Sequence, residues 1–432
     1  MIKTEPCMRM LMSMPTDWIK KPIKSINLKT EQWIPSKDKR DAFFYIDVSS
    51  VSNITYSIKD ASQVQAENAP GRARKIVKWQ DTIFATVRPS LKRVAFITRE
   101  YDDQIASTAF CVIRPNQEQA TPLYVYYFLL SDFLNGEIAG LQHGASYPAV
   151  TDKDILNQTI FLPPLTEQKK IASILLKIQK AIEVQESIIE KTRELKKSTL
   201  HHVFTHGLRG EKTKETEIGQ IPESWDVVPI GKVYDFTKKP KEIIYSNYDL
   251  LPFISMDLIP IDIPHLSKFK FKKSTEISSG TYVEDGDILL AKITPCFENG
   301  KQCIITGLPD GFGIASTEII PIKDKSRISS KYFLFYYLLK NDIRALIAGK
   351  MEGATGRQRV PAHLIQELLI PFPSLLEQNE IAYCFQVVDK KMELHTAKSA
   401  ALQDLFKTML NKLMAGEIRV KELDIDASEV ET

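Results

Sequence analysis

The chain lacks most of the features that mark an enzyme or a membrane protein. Its 432 residues include five cysteines, Cys7, Cys111, Cys296, Cys303 and Cys384, an odd number with no CxxC pair. This argues against a disulfide framework and against a structural zinc site. There is no GxxxxGK phosphate loop and no Asn-Pro-Pro-aromatic tetrapeptide of the methyl-transfer type; LPPL at Leu162 lacks both the polar first residue and the aromatic last one. Charge of one sign is scarce, with 57 Lys and Arg against 54 Asp and Glu, so a polyanion would have to be met by local patches. The strongest aromatic run, Pro122 to Leu134, falls far short of the ~20 apolar residues of a membrane span. The first fourteen residues carry five Met interrupted by Arg9 and resemble neither a signal peptide nor an anchor. The expected compartment is the cytoplasm, with no membrane partner.

What is present is length without interruption. From Glu167 to Phe204 there is neither Gly nor Pro, Pro163 and Pro164 forbid a helix entering from upstream, and Thr166 is placed to cap. The spacing predicts one helix of roughly 55 Å, ending at His206-Gly207. Its apolar positions Ile171, Leu175, Ile178, Ile182, Ile189 and Val203 keep steps of three and four with gaps, a seam that suits a partner helix.

The partner is written into the chain as a repeat. LPPLTEQKKIA returns as FPSLLEQNEIA, with Glu167 recurring as Glu377, 210 residues on. The same shift carries Ile171 to Ile381, Leu175 to Phe385, Ile178 to Val388, Ile182 to Met392 and Val203 to Leu413. MPTDWIKKPI and IPESWDVVPI pair Trp18 with Trp225, DTIFATVRP and DILLAKITP pair Asp81 with Asp287, and IAST at Ile105 recurs at Ile314. Each unit is a mixed α and β part followed by a long helix. Thr82–Val87, Asp287–Ile293, Ala109–Ile113 and Glu318–Ile322 read as strands. The aromatic runs YVYYFLLSDFL and YFLFYYLLKNDI each read as one core helix. The boundaries expected are 1–163 and 208–373 for the mixed parts, 164–207 and 374–419 for the helices, and an acidic, solvated tail over 420–432.

The second seam, completed by Leu402, Phe406 and Met409, is apolar where the first turns polar between Gln185 and Thr199. This favours pairing of the two helices within one chain, antiparallel because a whole unit lies between them. Gln185 and His395 occupy the same repeat position and are candidates for setting register. The expected fold is α+β: two mixed α/β domains joined by two long helices in an antiparallel coiled coil with pseudo-twofold symmetry. Two similar heads at a fixed separation suit a split ligand, and duplex DNA repeats its face every ~34 Å.

LPPLTEQKKIA followed by an Ile- and Lys-rich helix, LKKSTLHHVFTHGLRG, TEIGQIPESWDVVPIGKV and the closing LMAGEIRV together resemble the specificity subunit of type I restriction-modification systems, over nearly the whole chain. The resemblance implies a non-catalytic protein that reads a bipartite, asymmetric double-stranded DNA target with one target recognition domain per half-site. It also implies docking of two methylation subunits through the helices, with restriction and translocase subunits completing the complex. S-adenosylmethionine, ATP and Mg would then belong to those partners. A coiled-coil tether for protein partners, or a self-contained modification or restriction enzyme, are the alternatives.

Recognition calls for Arg and Lys toward phosphates and for paired hydrogen bonds at base edges. The first domain offers Arg72, Arg74, Lys75 and Lys78 in GRARKIVK, and Arg88, Lys92 and Arg93 in VRPSLKR. The second offers Lys268, Lys270 and Lys272 in SKFKFKK, a strand with three lysines on one face, then Lys273 and Lys292. A solvated edge strand accounts for such a cluster equally well. Two Gly-bearing loops align before the long helices: His143, Ser146 and Tyr147 in one, Thr355, Arg357, Gln358 and Arg359 in the other. They hold equivalent places with different chemistry, as two readers of different sequences should. Asp154, Glu167 and Lys169 imitate a nuclease spacing, but a Glu at a helix start is ordinary; His202 and His206 lack a third zinc ligand.

Overall fold

A computed structural model describes residues 15–38, 40–144, 147–354 and 356–430. The chain divides into two compact units, Met1–Ser187 with Thr396–Thr432, and Ile188–His395. Each therefore takes part of both long helices, which run Leu165–His206 and Leu375–Met414.

In the first unit, Ile19–Pro22 pairs antiparallel with Thr159–Leu162, the strand that leads into the first long helix. A four-stranded sheet has the order Ser62–Gln65, Ala42–Ile46, Gln104–Ser107, Ala73–Val77, and a three-stranded one Val94–Phe96, Thr82–Ala85, Phe110–Ile113. The second unit repeats the plan. Asp226–Pro229 pairs with Leu369–Phe372. Its sheets run Lys270–Lys273, Leu250–Ile254, Phe312–Ala315, Thr281–Glu284, and Tyr234–Phe236, Ile319–Asp324, Ile288–Ala291, Gln302–Ile305, His265–Leu266. The four predicted strands are all present. So is the duplicated order of elements: the fold is two mixed α/β domains with two long helices.

Each aromatic run, expected as a single helix, forms two. Pro122–Leu130 is buried on every side, as an all-apolar helix must be. Ser131 then leaves helical geometry (φ −62°, ψ 147°), and its hydroxyl accepts from the Leu134 N–H to start Asp132–Ala139. The second unit breaks at Lys340 between Lys331–Tyr337 and Asn341–Ala348. Thr166 lies inside its helix and not at the cap position.

The Glu-Gln pair that begins each long helix is a clamp. Gln168 accepts the Thr121 N–H at 2.8 Å and donates to the Pro163 carbonyl at 2.9 Å; Gln378 accepts from Ser330 and donates to Pro373, both at 2.9 Å. One amide thus ties the strand exit, the long helix and the start of the aromatic helix together. Its neighbour Glu167, wholly buried, receives Arg419 at 2.8 and 2.9 Å, and Arg419 also reaches Asp17. In the second unit Glu377 takes the Trp225 indole N–H at 3.1 Å instead.

The helices pair antiparallel. In the first unit Ser399 donates to Glu186, and in the second Lys196 bonds Asp389. As one partner advances ten residues the other retreats ten, a single register. Among the seam residues Ile171, Leu175, Ile182, Phe406 and Leu413 are buried in the first unit, and Ile189, Val203, Ile381 and Phe385 in the second. One expectation is overturned. The polar stretch of the first helix does not meet the apolar end of the second, because an antiparallel register sets polar middle against polar middle, and hydrogen bonds and an ion pair satisfy it. The tail is also corrected. Val420 and Val430 are buried, Ile425 packs on the first core, Ser173 donates to the Asp426 carbonyl at 2.7 Å, and Lys180 pairs with Glu429. Helix lysines meet it, Lys180 at the Glu429 carboxylate and Lys170 and Lys177 at main-chain carbonyls, while apolar residues at steps of five anchor it.

Repeated Asp81 and Asp287 are both wholly buried at the foot of a strand. Asp81 holds Arg114 through two 2.8 Å bonds. Among the described residues the Asp287 carboxyl accepts from the Glu284 N–H and the Thr237 hydroxyl, at 2.8 and 2.9 Å, and burial pushes its pKa from 3.8 up to about 6.

Two stability outcomes are expected. Gln378→Leu strands the Ser330 N–H and the Pro373 carbonyl, costing about 1–3 kcal/mol for each group, read as a lowered melting temperature. Folding favours protonated Asp287, so that contribution is complete below pH 4 and is lost as pH rises through about 6. Relative to wild type, Asp287→Asn should gain up to about 3 kcal/mol between pH 4 and 7, measured by melting at each pH.

Candidate nucleic-acid interface

In both units the strand that follows the buried aspartate runs on into a loop, and the Gly-bearing loop before the long helix returns to pair with it. In the first, Arg88 N–H donates to Pro148 O at 2.7 Å and Val150 N–H to Thr86 O at 2.9 Å. In the second, Thr294 N–H donates to Gln358 O at 3.0 Å and Val360 N–H to Lys292 O at 2.8 Å. The match continues through Thr86 N–H to Ala109 O and Lys292 N–H to Glu318 O, at 2.8 and 3.0 Å. The loops close on themselves at equivalent bridges, His143 with Ala149 and Glu352 with Arg359. Gly144 (φ +91°) and Gly353 (φ +119°) make these turns, and a Cβ on either would lie within 3.1 Å of backbone across the loop.

On this common main-chain frame the side chains differ. The first unit presents exposed Arg88, with its guanidinium 4.8 Å from the centroid of the Tyr147 ring; Tyr147 is 69% exposed. His143 is exposed beside them. In the second unit the positions of Arg88 and Tyr147 are taken by Thr294 and exposed Arg357, so the cation has moved from the strand loop to the returning loop. Arg359 grips Glu318 through bonds of 2.9 and 2.7 Å, holding that carboxyl below its usual range. Lys292 and Gln358 are half-buried alongside. Exposed cations, an aromatic face and an amide on two adjacent loops are equipped for phosphate contact and base-edge hydrogen bonding.

Most of the other sequence candidates are engaged by partners within their own unit. Lys75 pairs with Asp152, Lys78 with Asp103 at 2.6 Å and Lys92 with Asp132 at 2.6 Å. Arg93 donates to the carbonyls of Val48, Ser49 and Val51. Arg74 lies over Trp33 at 5.8 Å, and Arg72 is exposed at the turn into its strand. Lys270–Lys273 forms an edge strand with Lys268 outside it, so the three lysines do not share one strand face. Lys270 faces Asp257 at 3.7 Å, Lys272 covers the Phe253 ring at 3.9 Å, and Lys273 is exposed. Ser146 and Thr355 lie outside the described residues. Asp154 makes a capping box with Thr151, whose hydroxyl and N–H hold its pKa down.

Two residues escaped the sequence reading. Glu318, which orients Arg359, aligns with Ala109, and that charged-for-apolar difference within the repeat was the available signal. Arg344 sits at a buried position of Asn341–Ala348, donates to Phe297 O and Gln302 Oε1 and stacks on Phe297 at 4.9 Å; burial lowers its pKa to about 10. It braces the segment that carries Thr294, and an Arg at a core-facing step between Ile343 and Ile347 was its trace in the sequence.

Comparison with known proteins gives the same outline. The MjaVIII type I restriction enzyme specificity subunit of Methanocaldococcus jannaschii is 27% identical over 331 residues, covering 74% of this chain and 76% of that protein. A solved chain from work on complex assembly and conformational transition of the type I R-M system is 25% identical, with 94% and 99% of the chains covered and a TM-score of 0.55. The S subunit of a type I restriction-modification system from M. genitalium, 15% identical with 92% and 96% covered and a TM-score of 0.54, shares the fold. The family description "Type I restriction modification DNA specificity domain" matches residues 15–193 and again 222–404, and with both halves so matched the chain belongs to that family.

Proposed function

We propose that the chain is the non-catalytic, sequence-reading subunit of a type I restriction-modification complex, and that the paired loops of each unit read one half of a split, asymmetric DNA target. The observation that carries this is the repeated loop frame, identical in its main-chain hydrogen bonds and different in its side chains. The target-reading parts are residues 1–163 and 208–373. Arg88, His143 and Tyr147, with Ser146 between them in sequence, serve one half-site. Lys292, Arg357, Gln358 and Arg359, with Thr355, serve the other. Arg72, Lys268 and Lys273 remain exposed for phosphates at the margins.

The long helices dock two methylation subunits, which bring S-adenosylmethionine; restriction and translocase subunits add ATP and Mg, and the complex works in the cytoplasm. The support is an apolar surface that recurs at the repeat shift: Val184 with Leu394, and Leu195 with Leu405, all between 46 and 61% exposed. The second helix adds Leu376, Tyr383 and Val387, each at least 50% exposed. Among the described residues no helix is long and apolar enough to cross a membrane, so these side chains call for a protein neighbour.

Arg357→Ala should weaken cognate binding by about 1–3 kcal/mol with little change in melting temperature, read by gel shift of the chain with its methylation subunits; unchanged affinity removes Arg357 from the interface. Leu394→Asp with Tyr383→Asp should abolish co-purification of a methylation subunit while leaving the chain folded by circular dichroism. Retained co-purification would move the docking surface elsewhere.

A further inference from the structure

The repeat is broken at one buried position of the helix pairing. In the second unit Lys196 is ion-paired to Asp389, whose other oxygen accepts the Tyr336 hydroxyl at 2.7 Å, and both charged side chains are under 10% exposed. The 210-residue shift maps Lys196 onto Phe406, Asp389 onto Gln179 and Tyr336 onto Tyr126. Those three lie in the first unit, where Gln179 and Phe406 are buried and the Tyr126 hydroxyl lies 3.3 Å from the Gln179 carbonyl oxygen. One copy of the site is a buried ion pair; in the other an amide and a phenyl ring stand at those positions, and the Gln179 amide donates to Glu183 at 3.1 Å.

The antiparallel register is its own image under the repeat shift. A first helix could therefore pair in the same register with the first helix of another copy, and a second helix with another second helix. In the first case Lys196 would face Gln179, and in the second Asp389 would face Phe406. Each like-with-like pair parts the lysine from the aspartate. Two Asp389 carboxylates would be buried against Phe406 with no lysine opposite, which disfavours that pair by roughly a hundredfold or more. Lys196 would exchange Asp389 for the amide of Gln179, which already holds Glu183 at 3.1 Å. Only first-with-second pairing places the lysine against the aspartate.

We propose that the Lys196–Asp389 pair selects the helix partner: it makes the first repeat accept a second repeat and reject a second copy of itself. This rests on the helix pairing and not on the DNA-reading proposal.

The test uses the full chain with a protease recognition sequence inserted between Glu217 and Ile218, in the turn that joins Thr213–Thr216 to Gly219–Pro222. The folded chain is cut, unfolded in urea, refolded and examined by native mass spectrometry. Wild type should return only complexes of one first and one second fragment. Lys196→Phe with Asp389→Gln copies the residues of the first-unit site and should let like fragments associate, approaching the proportions of random pairing. Like-with-like complexes refolding from wild type at those proportions would overturn the proposal, whatever the variant does. So would a folded variant that still pairs only unlike fragments.

Discussion

The constraint on which this molecule depends is a short main-chain pairing: the strand leaving each buried aspartate gives and takes backbone hydrogen bonds with the loop that precedes each long helix. Backbone groups must be satisfied wherever water is excluded, whatever side chains they carry. The frame therefore persists while its side chains diverge. Arg88 and Tyr147 in one unit are matched by Thr294 and Arg357 in the other, and the carbonyls and N–H groups beneath them hold the same partners. A fold built in this way can change what it reads without changing how it stands.

The same economy governs the helices. The amides of Gln168 and Gln378 do one job twice, while the adjacent Glu167 and Glu377 have taken different partners, Arg419 and the Trp225 indole. Where the helices meet, apolar ends seal each core and the polar middles answer one another through Glu186 with Ser399 and Lys196 with Asp389. A buried ion pair contributes little net stability, because desolvation offsets the attraction. Its value lies in the arrangements it penalises.

Much of this was legible in the sequence. The repeat, the uninterrupted helices, the antiparallel pairing and the two aligned Gly-bearing loops follow from spacing, because helical seams and Gly-bearing turns are local signals; that the loops return to pair with the strand ahead of them did not. Local signals could not say which cations were spoken for. Lys75, Lys78 and Lys92 look like phosphate ligands until Asp152, Asp103 and Asp132 are brought beside them by the fold. Nor could they show that polar seam residues would meet polar partners, since that depends on the register of two segments about 200 residues apart in sequence. The acidic tail misled for the same reason: Val420, Ile425 and Val430 are too sparse to announce a packed segment, and only the surface that receives them makes them one.

The central claim is that the two loop frames read two different half-sites. It is tested most directly by expressing the chain with its methylation subunits and sequencing the modified adenines across the host genome. The account predicts one split motif with two unlike halves, and replacement of residues 353–358 should alter one half while leaving the other and the gap between them intact. A continuous motif, or a replacement that changes both halves together, would contradict it.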